Sequence, residues 1–161
     1  MKRDYSKFFT PPDIARFMVN LLNPKGGEII LEPSAGDGSL VRAIKEKCVS
    51  CIVIAIEITK GYKPYLRNAG ANIVLVEDFL THDGYATISS CIANPPFGNE
   101  NDVYAHYKAI RAHVKVGGKV VMIVPRDFKP DAHERVEHNI DNWATNSDGS
   151  TTEIKIIEFI N

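Results

Sequence analysis

Two short segments of the 161-residue chain gather residue types that can hold a ligand and act on it. The first reads Leu31-Glu32-Pro33-Ser34-Ala35-Gly36-Asp37-Gly38-Ser39. Gly36 and Gly38 permit a ligand to approach the backbone closely at the start of a helix. A pyrophosphate-binding G-x-G-x-x-G would need a small residue at position 41, where Val41 stands. Glu57 lies 21 residues beyond Gly36, at the end of an apolar run, where a carboxylate typically holds ribose hydroxyls. This spacing suggests an adenosine-type ligand without strongly suggesting a pyrophosphate. Taken alone, the two glycines also fit an ordinary tight turn. The second segment, Asn94-Pro95-Pro96-Phe97, directly follows the apolar Cys91-Ile92-Ala93. It puts an amide, two prolines and a ring at a strand end, or else is a plain turn with Phe97 packing.

Other candidates carry less chemistry. Cys48 and Cys51 form a C-x-x-C with no second pair, which favours a structural role over zinc or redox work. His133 and His138 read as exposed residues on a polar helix, so no metal site is expected. Lys2, Arg3, Lys7, Arg126 and Lys129 are cations that either flank an acidic substrate or are simply solvated.

The elements that position these residues follow from periodicity. Thr10 is a good N-cap before Pro11 and Pro12. Ile14, Phe17, Met18, Leu21 and Leu22 then recur at helical spacing until Asn23-Pro24. Apolar runs predict strands over Glu28 to Glu32, Cys51 to Glu57, Asn72 to Val76, Ser90 to Ala93 and Lys119 to Val124. Helices are predicted over Ser39 to Lys47, Lys60 to Asn68 and Asn101 to Val114, with Ala132 to Asn139 a candidate. The tail reads as a hairpin, Ile140 to Thr145 and Thr152 to Ile160, turning at Asn146-Ser147-Asp148-Gly149. Five strands alternating with helices predict an α/β domain with a parallel sheet, to which the hairpin adds an antiparallel edge.

The length is that of one domain, and 44% hydrophobic residues supply a full core. A formal charge of −1 excludes a surface that is one basic clamp. No apolar run approaches the ~20 residues needed to span a bilayer. No apolar stretch follows the basic N-terminal residues, so a cytoplasmic protein is expected. Three cysteines are too few for a disulfide scaffold.

Taken together, the motifs resemble those of the S-adenosylmethionine-dependent amino-methyltransferases of the N6-adenine DNA type. The resemblance rests on Phe9-Thr10-Pro11-Pro12, EPSAGDG at 32–38, AIE at 55–57, EDFL at 77–80, ANPPF at 93–97 and GGKVVMIVP at 117–125. Their order is similar to the gamma arrangement of that family. It implies a Rossmann-like class I methyltransferase fold, with seven mostly parallel strands and a C-terminal antiparallel hairpin. That agrees with the count of five plus two.

The resemblance also implies roles. Exocyclic N6 of adenine is a poor nucleophile because its lone pair is delocalised into the ring. The Asn94 side-chain oxygen and the Pro95 carbonyl would accept its two N–H groups, turning the lone pair toward the cofactor's methyl carbon. Pro95 and Pro96 bring a fixed φ and no competing N–H. Phe97 would stack on an extruded base; apart from the resemblance, Phe128, just after the fifth predicted strand, is a second stacking candidate. Thr10 and Glu32 match positions near the methionine end of S-adenosylmethionine, with Ala35, Gly36 and Gly38 as close contacts. Glu57 matches the ribose ligand, Asp78 the acceptor for the adenine amine, and Phe79 a residue beside the ring. DNA is the favoured substrate. RNA or a protein glutamine is the alternative, and a non-catalytic S-adenosylmethionine-binding module a further one. The family usually carries a separate target-recognition region. Here residues 1–161 read as the catalytic domain alone, with recognition expected from a partner chain or dimer.

Overall fold

A computed structural model describes residues 8–84, 87–97, 100–131, 135–145 and 151–161. Lys2, Arg3, Lys7, Asn99, His133 and the Asn146–Gly149 turn lie outside the described residues. Among the described residues seven strands form one sheet: β1 Ile29–Glu32, β2 Ile52–Ile56, β3 Ile73–Leu75, β4 Ile88–Ala93, β5 Val114–Pro125, β6 Arg135–Thr145 and β7 Thr151–Ile160. Their spatial order is β3-β2-β1-β4-β5-β7-β6. The first five run parallel, and β7 enters antiparallel between β5 and β6. The helices are α1 Pro12–Leu22, α2 Ser39–Lys47, α3 Lys63–Asn68 and α4 Glu100–His113. Single 3-10 turns occur at Lys60–Tyr62 and Phe79–Thr81.

Side chains alternate across the strands, so one residue in two serves each face. Ile30, Val53, Ala55, Ile92, Val121, Ile123, Ile154 and Ile156 pack with α1, α2 and Leu66 of α3. Leu31, Ile54, Ile56, Cys91, Ala93, Val120, Met122, Val124 and Ile157 face α4, Phe79 and Phe128. Each fully buried Ile or Leu contributes roughly 1.5–3 kcal/mol of transfer free energy. Burial on both faces explains why the strands read as continuous apolar runs rather than as alternating ones.

The structure corrects the tail. The predicted helix over Ala132 to Asn139 is a strand from Arg135 onward, paired with β7 from Arg135↔Phe159 to Ile140↔Ile154. Pairing with β7 satisfies its backbone, while Ile140 packs on the core and the His138 ring meets Phe17 of α1 edge-on at 5.4 Å. A tertiary partner here outweighs a weak helical pattern.

The start of α1 also differs from expectation. Pro11 occupies the cap position and no side chain caps the helix, so the Thr10 hydroxyl is free for another use. At the other end Lys119 Nζ donates to the Leu21 carbonyl at 2.6 Å and lies 3.4 Å from Glu158. This contact ties α1 to β5 and β7.

Candidate functional site

Strand order reverses between β1 and β4, and open α/β sheets bind ligands at the carboxyl ends of the strands flanking such a point. A cleft of about 310 Å³ lies there. Its walls come from the residues that end β1, β2 and β4, those that follow β3, and the segment before α1. Thr10, Glu32, Ala35, Gly36, Glu57, Asp78, Phe79, Asn94, Pro95, Pro96 and Phe97 all line it. These eleven residues span most of the chain, and the sheet is what brings them together.

The β1–α2 loop is held from below. Ala35 N–H donates to Ile56 O at 3.0 Å, and Gly36 N–H donates to Glu57 Oε2 at 2.8 Å. The other Glu57 oxygen accepts from Thr59 N–H at 2.8 Å. The carboxylate is thus locked in place, with lone pairs left for a ligand. Gly36 has φ +50, and a Cβ there would stand 3.3 Å from the Phe9 ring. The left-handed backbone and the closeness of Phe9 both favour glycine here.

Gly38 does not line the cleft. Its φ is +84 and a Cβ would lie 2.9 Å from that of Ala69, so its smallness serves the packing of α2 beside the end of α3.

The electrostatics are acidic. Glu32, Asp37, Glu57, Glu77 and Asp78 all line the cleft. Glu32 is 1% exposed, and burial holds its carboxyl well above the usual range, against the Ser34 N–H it accepts. Glu57 and Asp37 push it further in the same direction. A buried carboxyl beside other carboxylates is offset best by a cation.

Asn94 is held through its amide nitrogen. Its Nδ2 donates to Phe8 O at 2.9 Å and lies 3.1 Å from Thr10 Oγ1. A carbonyl can only accept, so Phe8 settles which end of the amide is nitrogen. With Nδ2 so engaged, Oδ1 remains the acceptor on offer. Pro95 is buried, whereas Pro96 and Phe97 are half-buried, and Phe97 packs against both halves of the core. Asp78 uses Oδ1 to accept Leu80 N–H at 2.9 Å, capping the 3-10 turn.

Sequence reasoning missed Phe8, Ser34, Asp37, Tyr62, Glu77 and His106 as cleft residues. Asp37 and Glu77 stood inside quoted motifs. His106 gave no signal, because its inward orientation depends on how α4 settles on the sheet. Two expectations change. Phe128 is 5% exposed, with Tyr104 and Tyr107 rings at 4.5 and 5.6 Å, so it is a core residue rather than a free stacking face. Arg126 is paired with Asp141 and Glu153, which neutralise it. Cys48 and Cys51 are free thiols: Cys48 is lowered by a hydrogen bond from Cys51, while burial pushes Cys51 up to about 12. Among the described residues no cluster of three or more His, Cys, Asp or Glu could hold a metal. Among them, too, no helix is long and apolar enough to cross a membrane.

The sheet order and the cleft at its switch point define a Rossmann-like methyltransferase fold. A modification subunit of a putative type I restriction enzyme from Vibrio vulnificus YJ016 superposes with TM-score 0.77 at 14% identity. The match covers 96% of this chain and 44% of that one. Residues 1–51 match the family model described as N-6 DNA Methylase. The Type II methyltransferase M.CvrRI of Paramecium bursaria Chlorella virus XZ-6E is 25% identical over 140 residues, 77% of this chain and 37% of that protein. An rRNA methyltransferase of Streptomyces thermotolerans is 31% identical over 100 residues, 60% of this chain and 33% of that protein. The chain thus spans about a third of the length of these curated relatives. The chain is thus similar over part of its length to an N-6 DNA methylase model and to DNA and rRNA methyltransferases, and S-adenosylmethionine is the expected cofactor.

The residues present fit that cofactor. Buried Glu32 and the surrounding carboxylates suit its sulfonium and ammonium charges, and the locked Glu57 suits a ribose diol.

Proposed function

We propose that the cleft binds S-adenosylmethionine and directs its methyl group to the exocyclic N6 of adenine in DNA. One observation carries this reading. The Asn94 amide is fixed through Nδ2 by Phe8 and Thr10, residues more than 80 positions away, so that Oδ1 is offered as an acceptor. A turn that merely ended a strand would need no such anchoring.

The bound cofactor supplies an electrophilic methyl group on a sulfonium. Glu32, aided by Asp37, would offset the positive charge near the methionine end, which Thr10, Ala35 and Gly36 would hold. Glu57 would accept from the ribose hydroxyls and Asp78 from the adenine amine, with Phe79 in the adjoining wall. Asn94 Oδ1 and the Pro95 carbonyl accept the two N–H groups of the target amine. They thereby draw the nitrogen toward tetrahedral geometry and aim its lone pair. Phe97 stacks on the extruded base. No strong base is required, since the proton can leave after transfer.

Residues 1–161 act in this reading as a catalytic domain, with target recognition supplied from outside these residues. A formal charge of −1 and the neutralised Arg126 support that division, because phosphate contacts need unpaired cations. The subunit organisation named for the Vibrio vulnificus neighbour supports it as well. A second reading, RNA as substrate, is favoured by the Streptomyces thermotolerans relative, an rRNA methyltransferase.

The test is transfer of a labelled methyl group to DNA, RNA and protein fractions, followed by identification of the methylated nucleoside or residue. N6-methyladenine in DNA is expected, and Asn94→Ala should abolish it with cofactor affinity nearly intact. Label appearing in RNA alone would replace the first reading by the second. Label in glutamine alone would reject both.

A further inference from the structure

His106 is a buried polar side chain to which the reading above gives no role. It sits on α4, 7% exposed, yet it lines the cleft beside Asp78 and Phe79. Its Nδ1 lies 2.8 Å from the Asp102 carbonyl oxygen. That oxygen only accepts, so Nδ1 carries the proton, and a neutral imidazole then presents Nε2 as a lone pair. Burial lowers the affinity of the ring for a second proton, against the opposing pull of Asp78 and Asp102. The ring stands 5.9 Å from that of Phe79, tilted by 33°, next to the residue that follows Asp78.

The cleft lining thus holds two acceptors, the Asp78 carboxylate and His106 Nε2. An exocyclic amine has two N–H groups to offer them. A 6-oxo purine brings a lone pair to the same place and leaves an acceptor facing an acceptor, which is how sites built for an amine discriminate.

We propose that His106 is a specificity-determining residue whose Nε2 accepts a hydrogen bond from the 6-amino group of the cofactor's adenine, alongside Asp78. The inference rests on the reading of the cleft as an S-adenosylmethionine site. It adds a purine-selecting contact supplied by the helix after the Asn94 loop.

Calorimetric titration of the whole chain with S-adenosylhomocysteine and with its 6-oxo counterpart, S-inosylhomocysteine, tests it. The parent should prefer the adenosyl ligand. His106→Phe keeps a ring against Phe79 but has no lone pair, and should bind the adenosyl ligand roughly two- to thirteenfold more weakly. Its affinity for the inosyl ligand should change little, so the preference narrows. His106→Gln, which can place an amide oxygen near the Nε2 position, should retain the preference. An undiminished preference in His106→Phe would overturn the proposal, as would equal affinity of the parent for both ligands, which needs no variant at all. Failure of the parent to bind either ligand would instead remove the cofactor reading and this inference with it.

Discussion

Replacing Thr10 by valine isolates the anchoring of Asn94 from its chemistry. Thr10 is 5% exposed, and valine matches its shape and β-branching, so the packing before α1 is kept while Oγ1 is lost. The Asn94 amide then keeps its contact with Phe8 O but loses the 3.1 Å contact with Thr10. One neutral hydrogen bond contributes about 0.5–1.5 kcal/mol. If that anchoring is realised in the transition state, the loss converts to a roughly two- to thirteenfold slower transfer at 1.36 kcal/mol per decade. Single-turnover methyl transfer with saturating cofactor reads this step directly, and thermal melting verifies the fold. Thr10→Ser retains the oxygen and should transfer at close to the parental rate. Transfer by Thr10→Val at the parental rate would refute the reasoning. So would a serine variant as slow as the valine one, since that would make the methyl group, not the hydroxyl, the important part.

Glu57→Ala should weaken cofactor binding by about 1–3 kcal/mol, through lost ribose hydrogen bonds and a loosened Gly36 loop; unchanged affinity by calorimetry would remove Glu57 from the site. Glu32→Gln should alter stability with pH in a defined sense. The folded carboxyl titrates above its ordinary value of 4.5, so the native chain holds a proton that the unfolded chain has released, and parental stability falls as pH rises through that window. The variant should therefore gain over the parent in melting temperature toward neutral pH and not below pH 4.5, while binding the cationic cofactor less well; a gain at acid pH alone would contradict the assignment. Gly38→Ala should destabilise the fold, by about 1–2 kcal/mol for the left-handed backbone alone, without changing the affinity of the remaining folded protein. Denaturant titration and calorimetry separate those two quantities.

What the sequence determined by itself is the central sheet and the motifs at its carboxyl ends. Strands covered on both faces must be apolar throughout, so β1, β2, β4 and the latter part of β5 were legible as short runs of Ile, Val, Leu and Ala. The loops that follow β1, β2, β3 and β4 carry local signals of their own, in Gly36, Glu57, Asp78 and Asn94-Pro95-Pro96-Phe97. All of these came to one cleft.

Only the tertiary structure decided the rest, wherever the deciding partner was remote in sequence. Arg135 to Ile140 became strand because β7 offered an edge to pair with. The Thr10 hydroxyl turned from capping a helix to holding Asn94 because the sheet placed β4 beside the entrance to α1. Glu32 became a high-titrating carboxyl through burial next to Glu57 and Asp37, and His106 became a cleft residue through the seating of α4. Strand patterning is local, because each residue's own hydrophobicity reports its burial. Amide orientation, proton affinity and cleft membership depend on neighbours that meet only when the chain has folded.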